Sequence, residues 1–194
     1  TTLDSSGNIL PLLADSWDVS DDTLTYTFHL KSGTKFQDGS PVEAKDVAYS
    51  ISRLMSINEG PAYLFEGVLD ANSVTALDSS TVQFKLNKVY TPFLTNTPIM
   101  FVVNSDVAEA NKTDSDPWAQ DFLANTSAGA GAYMLDSWAR GASMTIKKFD
   151  DYHLGWNDQS LDEVRFVITN EEATVKALAA SGVLSMSANS QAQE

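Results

Sequence analysis

The chain has 194 residues and a formal net charge of −14, with 26 acidic against 12 basic side chains, so it lacks the basic footprint that nucleic acid or anionic lipid would need. An apolar content of 43% with 20% charged residues is ordinary for a globular domain, and the acidity reads first as solubility. With no cysteine there is no disulfide framework, thiol nucleophile or thiolate metal site, and no apolar run approaches the roughly 20 residues that span a bilayer.

The opening Thr1-Thr2-Leu3-Asp4 is polar and has no signal-peptide n-region, so a leader is expected to have been removed. Residues 1–13 read as a lead-in, with a turn at Ser5-Ser6-Gly7-Asn8 and Pro11 barring a central strand. Trp17 and Val19 share one face of an alternating run, and Ser20-Asp21-Asp22-Thr23 forms the polar turn of a hairpin. In the returning strand Leu24, Tyr26, Phe28 and Leu30 face one way and Thr25, Thr27, His29 and Lys31 the other. Trp17 and Phe28 are therefore expected in the core.

Gly33 and Asp38-Gly39 punctuate the chain before a helix. Its start signal is Ser40-Pro41-x-Glu43, with Ser40 as the expected cap and Pro41 in the first turn. Val47, Ala48, Ile51, Leu54 and Met55 make the apolar stripe, and Lys45, Asp46, Ser52 and Arg53 lie away from it. Asn58-Glu59-Gly60-Pro61 ends the pattern, and Ala62-Tyr63-Leu64-Phe65 opens an apolar loop.

A second hairpin follows, with residues 74–77 and 82–86 on either side of Asp78-Ser79-Ser80. Thr91-Pro92-Phe93-Leu94 resembles a short helix start, Met100 to Val103 a brief buried strand, Asp106 to Asn111 one or two helical turns, and Lys112 to Trp118 an acidic surface loop. Ala128 to Tyr133 is a small-residue hinge into a strand ending near Trp138, which Arg140-Gly141 turns back through Met144 to Lys148. An aromatic-rich loop with Tyr152, His153 and Trp156 precedes a strand over 164–168. Thr169-x-x-Glu172 then reads as a capping box for a helix stopping at Gly182, and the polar tail from Ser187 is expected to fray.

The stretch from Leu13 to Leu54 resembles the signature segment of the large extracytoplasmic solute-binding proteins of ABC importers, the oligopeptide, dipeptide and nickel family. The residues that carry the likeness are Leu13-Ala14 with Trp17, Thr25-Tyr26 with Phe28, Gly33, Phe36 with Asp38-Gly39, and Ala44 with Asp46-Val47. Gly129-x-Gly131-x-Tyr133, Tyr152 and Leu161-Asp162-Glu163-Val164 extend it. Ala132 stands where the family usually has proline, Phe149 and His153 replace asparagine and tryptophan, and Gly182-Val183-Leu184-Ser185 lacks two customary acids.

The resemblance implies an α/β (α+β type) chain of mixed sheet, hairpins and packed helices, part of the first lobe of a two-lobed fold. Residues 1–126 would be an accessory subdomain of that lobe and 127–194 the first elements of its core, with the second lobe outside the sequence. It also implies a non-catalytic module with no cofactor, periplasmic or extracellular, held at the membrane through its transporter or a lipid anchor outside this chain. Its partners would be an oligopeptide or dipeptide ligand and an ABC permease, with a nickel chelate or another small solute as the alternative ligand. In relatives the loop carrying Tyr63 and Phe65 can approach the cleft, which makes these two residues the candidate ligand contacts; aromatic rings suit clefts, while the plainer reading is that both cap the subdomain core.

Catalytic readings find less support. The two histidines, His29 and His153, lie far apart on a strand and in a loop, so neither a zinc site nor a Ser-His-Asp triad is signalled. An acidic hydrolase needs a clustered carboxylate pair, whereas Asp21-Asp22 and Glu171-Glu172 fall in a turn and a first helical turn. A stand-alone interaction domain derived from the family remains a third reading.

Overall fold

The computed structural model describes residues 1–169 and 171–182. By its contacts the chain forms two compact units, Thr1–Met134 with Phe149–Ser160, and Leu135–Lys148 with the segment from Leu161 onward.

The first unit is built on a four-stranded sheet. Short strands β1 (Thr2–Leu3) and β2 (Ile9–Leu10) pair as a ribbon, and β3 (Ala14–Val19), β4 (Thr25–Leu30), β5 (Val74–Ala76) and β6 (Thr81–Lys85) form an antiparallel sheet in the order β3-β4-β6-β5. Both expected hairpins are present. Tyr26 pairs with Phe84 and Phe28 with Val82, which places all four side chains on the buried face. A bulge between Ala14 and Ser16 shifts the register of β3. It lets Ala14 and Trp17, three residues apart, both turn towards the core, which strict alternation forbids. Ala14 is buried there, but Trp17 is only half-buried and packs on the cluster from its edge.

Helix α1 (Ala44–Ile57) lies against β5 and β6 and ends at Asn58, which takes the left-handed conformation with φ 55°. Val47 and Ile51 are buried and Ala48, Leu54 and Met55 pack against the same cluster, as the stripe predicts. The start of the helix differs from expectation. Val42 N–H donates to Thr34 O (2.9 Å), and Lys35 and Pro41 form a bridge, so the chain stays extended until Glu43, the true N-cap residue. Asp46 reaches back to accept from Glu43 N–H at 2.9 Å. Ser40 caps nothing; its hydroxyl donates to Asp38 Oδ1 (2.6 Å) and accepts from Asn104 Nδ2 (2.9 Å).

Asp46, expected on the solvent side of the helix, is 1% exposed. Its second oxygen accepts from Ser105 N–H at 3.0 Å and Ser105 Oγ at 2.5 Å. One carboxylate thus ties the first turn of α1 to a segment 59 residues later. Ser50, one turn on, accepts from Val103 N–H at 3.0 Å.

After a 3-10 turn over Gly60–Phe65 and the β5–β6 hairpin, helix α2 (Phe93–Asn96) inserts Phe93 into the core. The Phe93 ring lies 4.5 Å from Tyr26 and 5.6 Å from Phe84, and Phe84 lies 5.3 Å from Phe28 in an edge-on pair. Residues 100–103, expected as a buried strand, are irregular: Val103 spends its N–H on Ser50 rather than on a ladder, and Phe101 is 80% exposed.

Helix α3 (Ser105–Ala110) is capped by Asn104, whose Oδ1 accepts from Asp106 N–H (3.0 Å) and Val107 N–H (3.2 Å). Its Nδ2 donates to both Asp38 and Ser40 at 2.9 Å, so a single side chain caps a helix and closes the preceding loop. Asn104→Ala is expected to cost about 1–2 kcal/mol, more than Ser40→Ala, because only the first change leaves helix amides open. Urea melts of the two variants check the order, and equal losses would contradict it. Helix α4 (Gln120–Leu123) completes this region.

The second unit is a three-stranded sheet, β7 (Tyr133–Ala139), β8 (Ser143–Lys148) and β9 (Glu163–Val167), in that order, followed by helix α5 (Glu172–Ala180). Arg140-Gly141 makes the turn as expected, and Lys147 and Lys148 pair with Asp136 (2.9 Å) and Asp162 (2.8 Å). Helix α5 takes Glu171 rather than Thr169 as its N-cap residue, and Gly182, with φ 73°, follows its end. The tail expected to fray lies outside the described residues.

Candidate functional site

The two aromatic residues singled out as ligand contacts sit two positions apart on the 3-10 turn and part company. Phe65 is fully buried among the core side chains, so its ring is spent on packing. Tyr63 stands 70% exposed. The turn separates them because successive residues of a three-fold helix point about a third of a turn apart.

A concavity of about 430 Å³ in the first unit lies elsewhere and includes neither of them. Leu13 just before β3, Ala14 of β3, Phe28 and Leu30 of β4, and Val47 and Ile51 of α1 line it on one side. The other wall comes from the irregular segment Met100–Val103, the Gly129–Gly131 stretch, and Tyr152 with His153. The small-residue stretch is fastened by its backbone: Gln37 N–H donates to Gly129 O (3.0 Å) and Asn104 N–H to Ala128 O (2.8 Å). The Gln37 side chain adds bonds to the carbonyls of Gly131 (3.1 Å) and Tyr133 (2.8 Å).

The aromatic loop is ordered by its own contacts. Trp156 donates its indole N–H to Phe149 O at 2.9 Å and stacks edge-on against Tyr133 at 5.2 Å. Tyr152 lies 4.7 Å from His153 and 5.8 Å from Trp156, and Asp151 pairs with Lys35 at 2.6 Å.

His29 and His153, both expected to be solvated or packed, have different environments. His29 Nε2 meets Asp18 Oδ2 across the β3–β4 hairpin at 2.9 Å, with both side chains largely exposed. Both ring nitrogens of His153 are shut off from solvent, and the Leu12 backbone is the polar group that acts on them. Burial, reinforced by Lys31, holds the His153 pKa below its ordinary value; Asp15 and the Leu12 backbone act the other way. A histidine held neutral when folded favours the native state above its unfolded pKa, near 6.5, and that advantage is lost as pH falls below it. The urea midpoint is therefore expected to drop between pH 7.5 and 5.5, with a smaller drop in His153→Phe. An identical pH dependence in both proteins would remove His153 from the explanation.

Among the described residues no group of three or more His, Asp or Glu side chains is placed to hold a metal ion, and no helix is long and apolar enough to cross a membrane. The sequence places Tyr152 and His153 in an aromatic loop and in the family comparison but does not signal the concavity, because its lining comes from segments as distant as Leu13 and His153 whose convergence leaves no periodic trace.

Comparison with known proteins gives a consistent picture. The family model for bacterial extracellular solute-binding proteins, family 5 Middle, matches residues 8–194. The probable D,D-dipeptide-binding periplasmic protein DdpA of Escherichia coli is 35% identical over 84% of this chain and 30% of its own length. The dipeptide-binding protein DppE of Bacillus subtilis is 30% identical over 90% of this chain and 34% of its own length. Among solved structures, the ABC transporter substrate-binding protein CtaP of Listeria monocytogenes superposes with a TM-score of 0.76 at 28% identity, covering 90% of this chain and 35% of that one. The chain thus spans about a third of the length of the relatives it matches.

Proposed function

The chain belongs to the bacterial extracellular solute-binding proteins of family 5, and from that premise we propose that it forms part of the first lobe of a two-lobed protein that captures dipeptides or oligopeptides for an ABC importer. The observation that carries the reading is the match of the family model to nearly the whole chain, 8–194, joined to relatives named for dipeptide binding. The protein would work outside the cytoplasm, hand its ligand to a membrane permease, and do no chemistry on it. In this reading residues 1–126 are the accessory subdomain and 127–194 begin the core of the lobe. Tyr63 is the residue of the pair Tyr63 and Phe65 that meets ligand, since Phe65 has no exposed surface to offer.

Capture in such a protein depends on closure of two lobes, which supplies a second wall of contacts and removes competing water. With one wall absent the ligand keeps few contacts, while the cost of immobilising it is still several kcal/mol. Losing about 4 kcal/mol of contact weakens binding roughly a thousandfold. Calorimetry with Ala-Ala and with a mixed tripeptide pool is therefore expected to give millimolar binding or none for the 194 residues alone. Micromolar binding by this chain would relocate the capture site into it. The transport role is checked in cells: deleting the gene is expected to abolish uptake of a labelled dipeptide, and undiminished uptake would overturn the reading.

A further inference from the structure

Asp38-Gly39 is the one Asp-Gly pair in the sequence, and its turn demands glycine because Gly39 takes φ 88°. Both residues are exposed to water. The pair carries a chemical liability, since a glycine after aspartate has no side chain to shield its amide nitrogen. Attack of that nitrogen on the aspartate Cγ forms an N–Cγ bond and closes a five-membered succinimide. One water leaves, made from a carboxyl oxygen with the acid proton and the amide proton. Addition of one water then breaks the bond between that nitrogen and either carbonyl carbon. Where the main-chain carbon is released, the chain runs on through Cγ as isoaspartate, one carbon longer.

The structure opposes both partners of this reaction. Gly39 N–H, the nucleophile, donates to Phe36 O at 2.9 Å. Asp38 Oδ1 accepts from Ser40 N–H (2.9 Å) and the Ser40 hydroxyl (2.6 Å), and Oδ2 accepts from Asn104 Nδ2 (2.9 Å). These bonds favour the ionised carboxylate, whereas closure needs the protonated acid from which water can leave. The Asp38 pKa is accordingly held below its ordinary value, chiefly by the Ser40 hydroxyl and against the cost of desolvation.

The same loop is closed by its backbone. Phe36 N–H donates to Ser40 O at 2.8 Å, Lys35 bridges Pro41, and Gln37 N–H holds Gly129 O at 3.0 Å. An extra main-chain carbon between Asp38 and Gly39 lengthens the span these bonds close. It also leaves the free carboxylate on Cα, away from the position that Ser40 and Asn104 now satisfy.

We infer that Asp38-Gly39 is a latent isoaspartate site, held unreactive by its hydrogen bonds to Ser40 and Asn104, and that isomerisation there unfastens the loop from α3.

The test incubates the chain at neutral pH, native and in guanidinium chloride. Isoaspartate at residue 38 is read by peptide mapping with isoaspartyl-methyltransferase labelling. Formation is expected to be at least about ten-fold faster in the denatured chain, where these bonds are absent. Asn104→Asp keeps an oxygen to cap α3 but has no amide to donate. Its native-state rate should rise about ten-fold, the worth of one hydrogen bond to a charged group. Ser40→Ala, which removes the hydroxyl donor, should also react faster and serves if the Asn104 variant fails to fold. Trp17→Ala lowers stability without touching these bonds and should stay near the native rate. The isomerised chain, separated by chromatography, is expected to unfold at lower urea than its parent. Equal rates in native and denatured chain, variants at Ser40 and Asn104 no faster than Trp17→Ala, or an unchanged urea midpoint after isomerisation would each overturn the proposal. None of these results bears on dipeptide uptake, so failure here leaves the transport reading standing.

Discussion

Replacing Asp46 by Ala is expected to destabilise the first unit by about 3–4 kcal/mol, among the largest losses available to a single polar side chain in this protein. The carboxylate is 1% exposed and accepts from three donors, Glu43 N–H, Ser105 N–H and the Ser105 hydroxyl. Alanine leaves these groups without an acceptor, and each buried unsatisfied donor costs about 1–3 kcal/mol; Glu43 lies nearer the surface and recovers part of its loss from water. Asp46→Asn keeps one acceptor oxygen but turns an amide towards a donor, so it should fall between Ala and the native protein. Burying a carboxylate has its own cost, which works against these bonds and keeps the expected loss below their sum. Denaturant melts of the three proteins test the order. A loss under about 1 kcal/mol for Asp46→Ala would mean that the junction between α1 and the segment at Ser105 does not depend on this carboxylate.

Phe28→Ala should cost about 3–5 kcal/mol, because its ring is buried at the centre of the aromatic cluster and its removal leaves a hole that neighbours only partly fill. Phe28 sits 5.3 Å from Phe84 and 6.2 Å from Trp17. Trp17→Ala, from the partly buried edge of the same cluster, is expected to cost clearly less, about 1–2 kcal/mol, since its ring is only partly withdrawn from water. Comparable losses for the two variants would show that the edge of β3 is as tightly packed as its centre. The sequence pattern alone makes the two residues equivalent core positions; the bulge at Ala14/Ser16 and the edge position of β3 make them unequal.

The contrast between those residues separates what was legible in the sequence from what was not. Period-two alternation in residues 24–31 and 82–86, turn residues at 20–23 and 78–80, and the stripe from Val47 to Met55 are local signals, since each depends on neighbours within a few positions. They specify the two hairpins and α1, and the matched signature residues carry the family assignment. The tertiary structure decided what depends on distant segments. Val42 N–H bonding to Thr34 O holds the chain extended through Ser40 and moves the helix start to Glu43. Ser105 draws Asp46 into the interior, where a position reading as solvent-facing becomes a buried junction. Phe65 and Tyr63, alike in sequence, are divided by the orientation of one 3-10 turn. The concavity beside His153 exists only because β3, β4, α1 and three irregular segments converge. Hydrogen bonding and burial of this kind are settled between residues tens of positions apart, and a local pattern has no term for them.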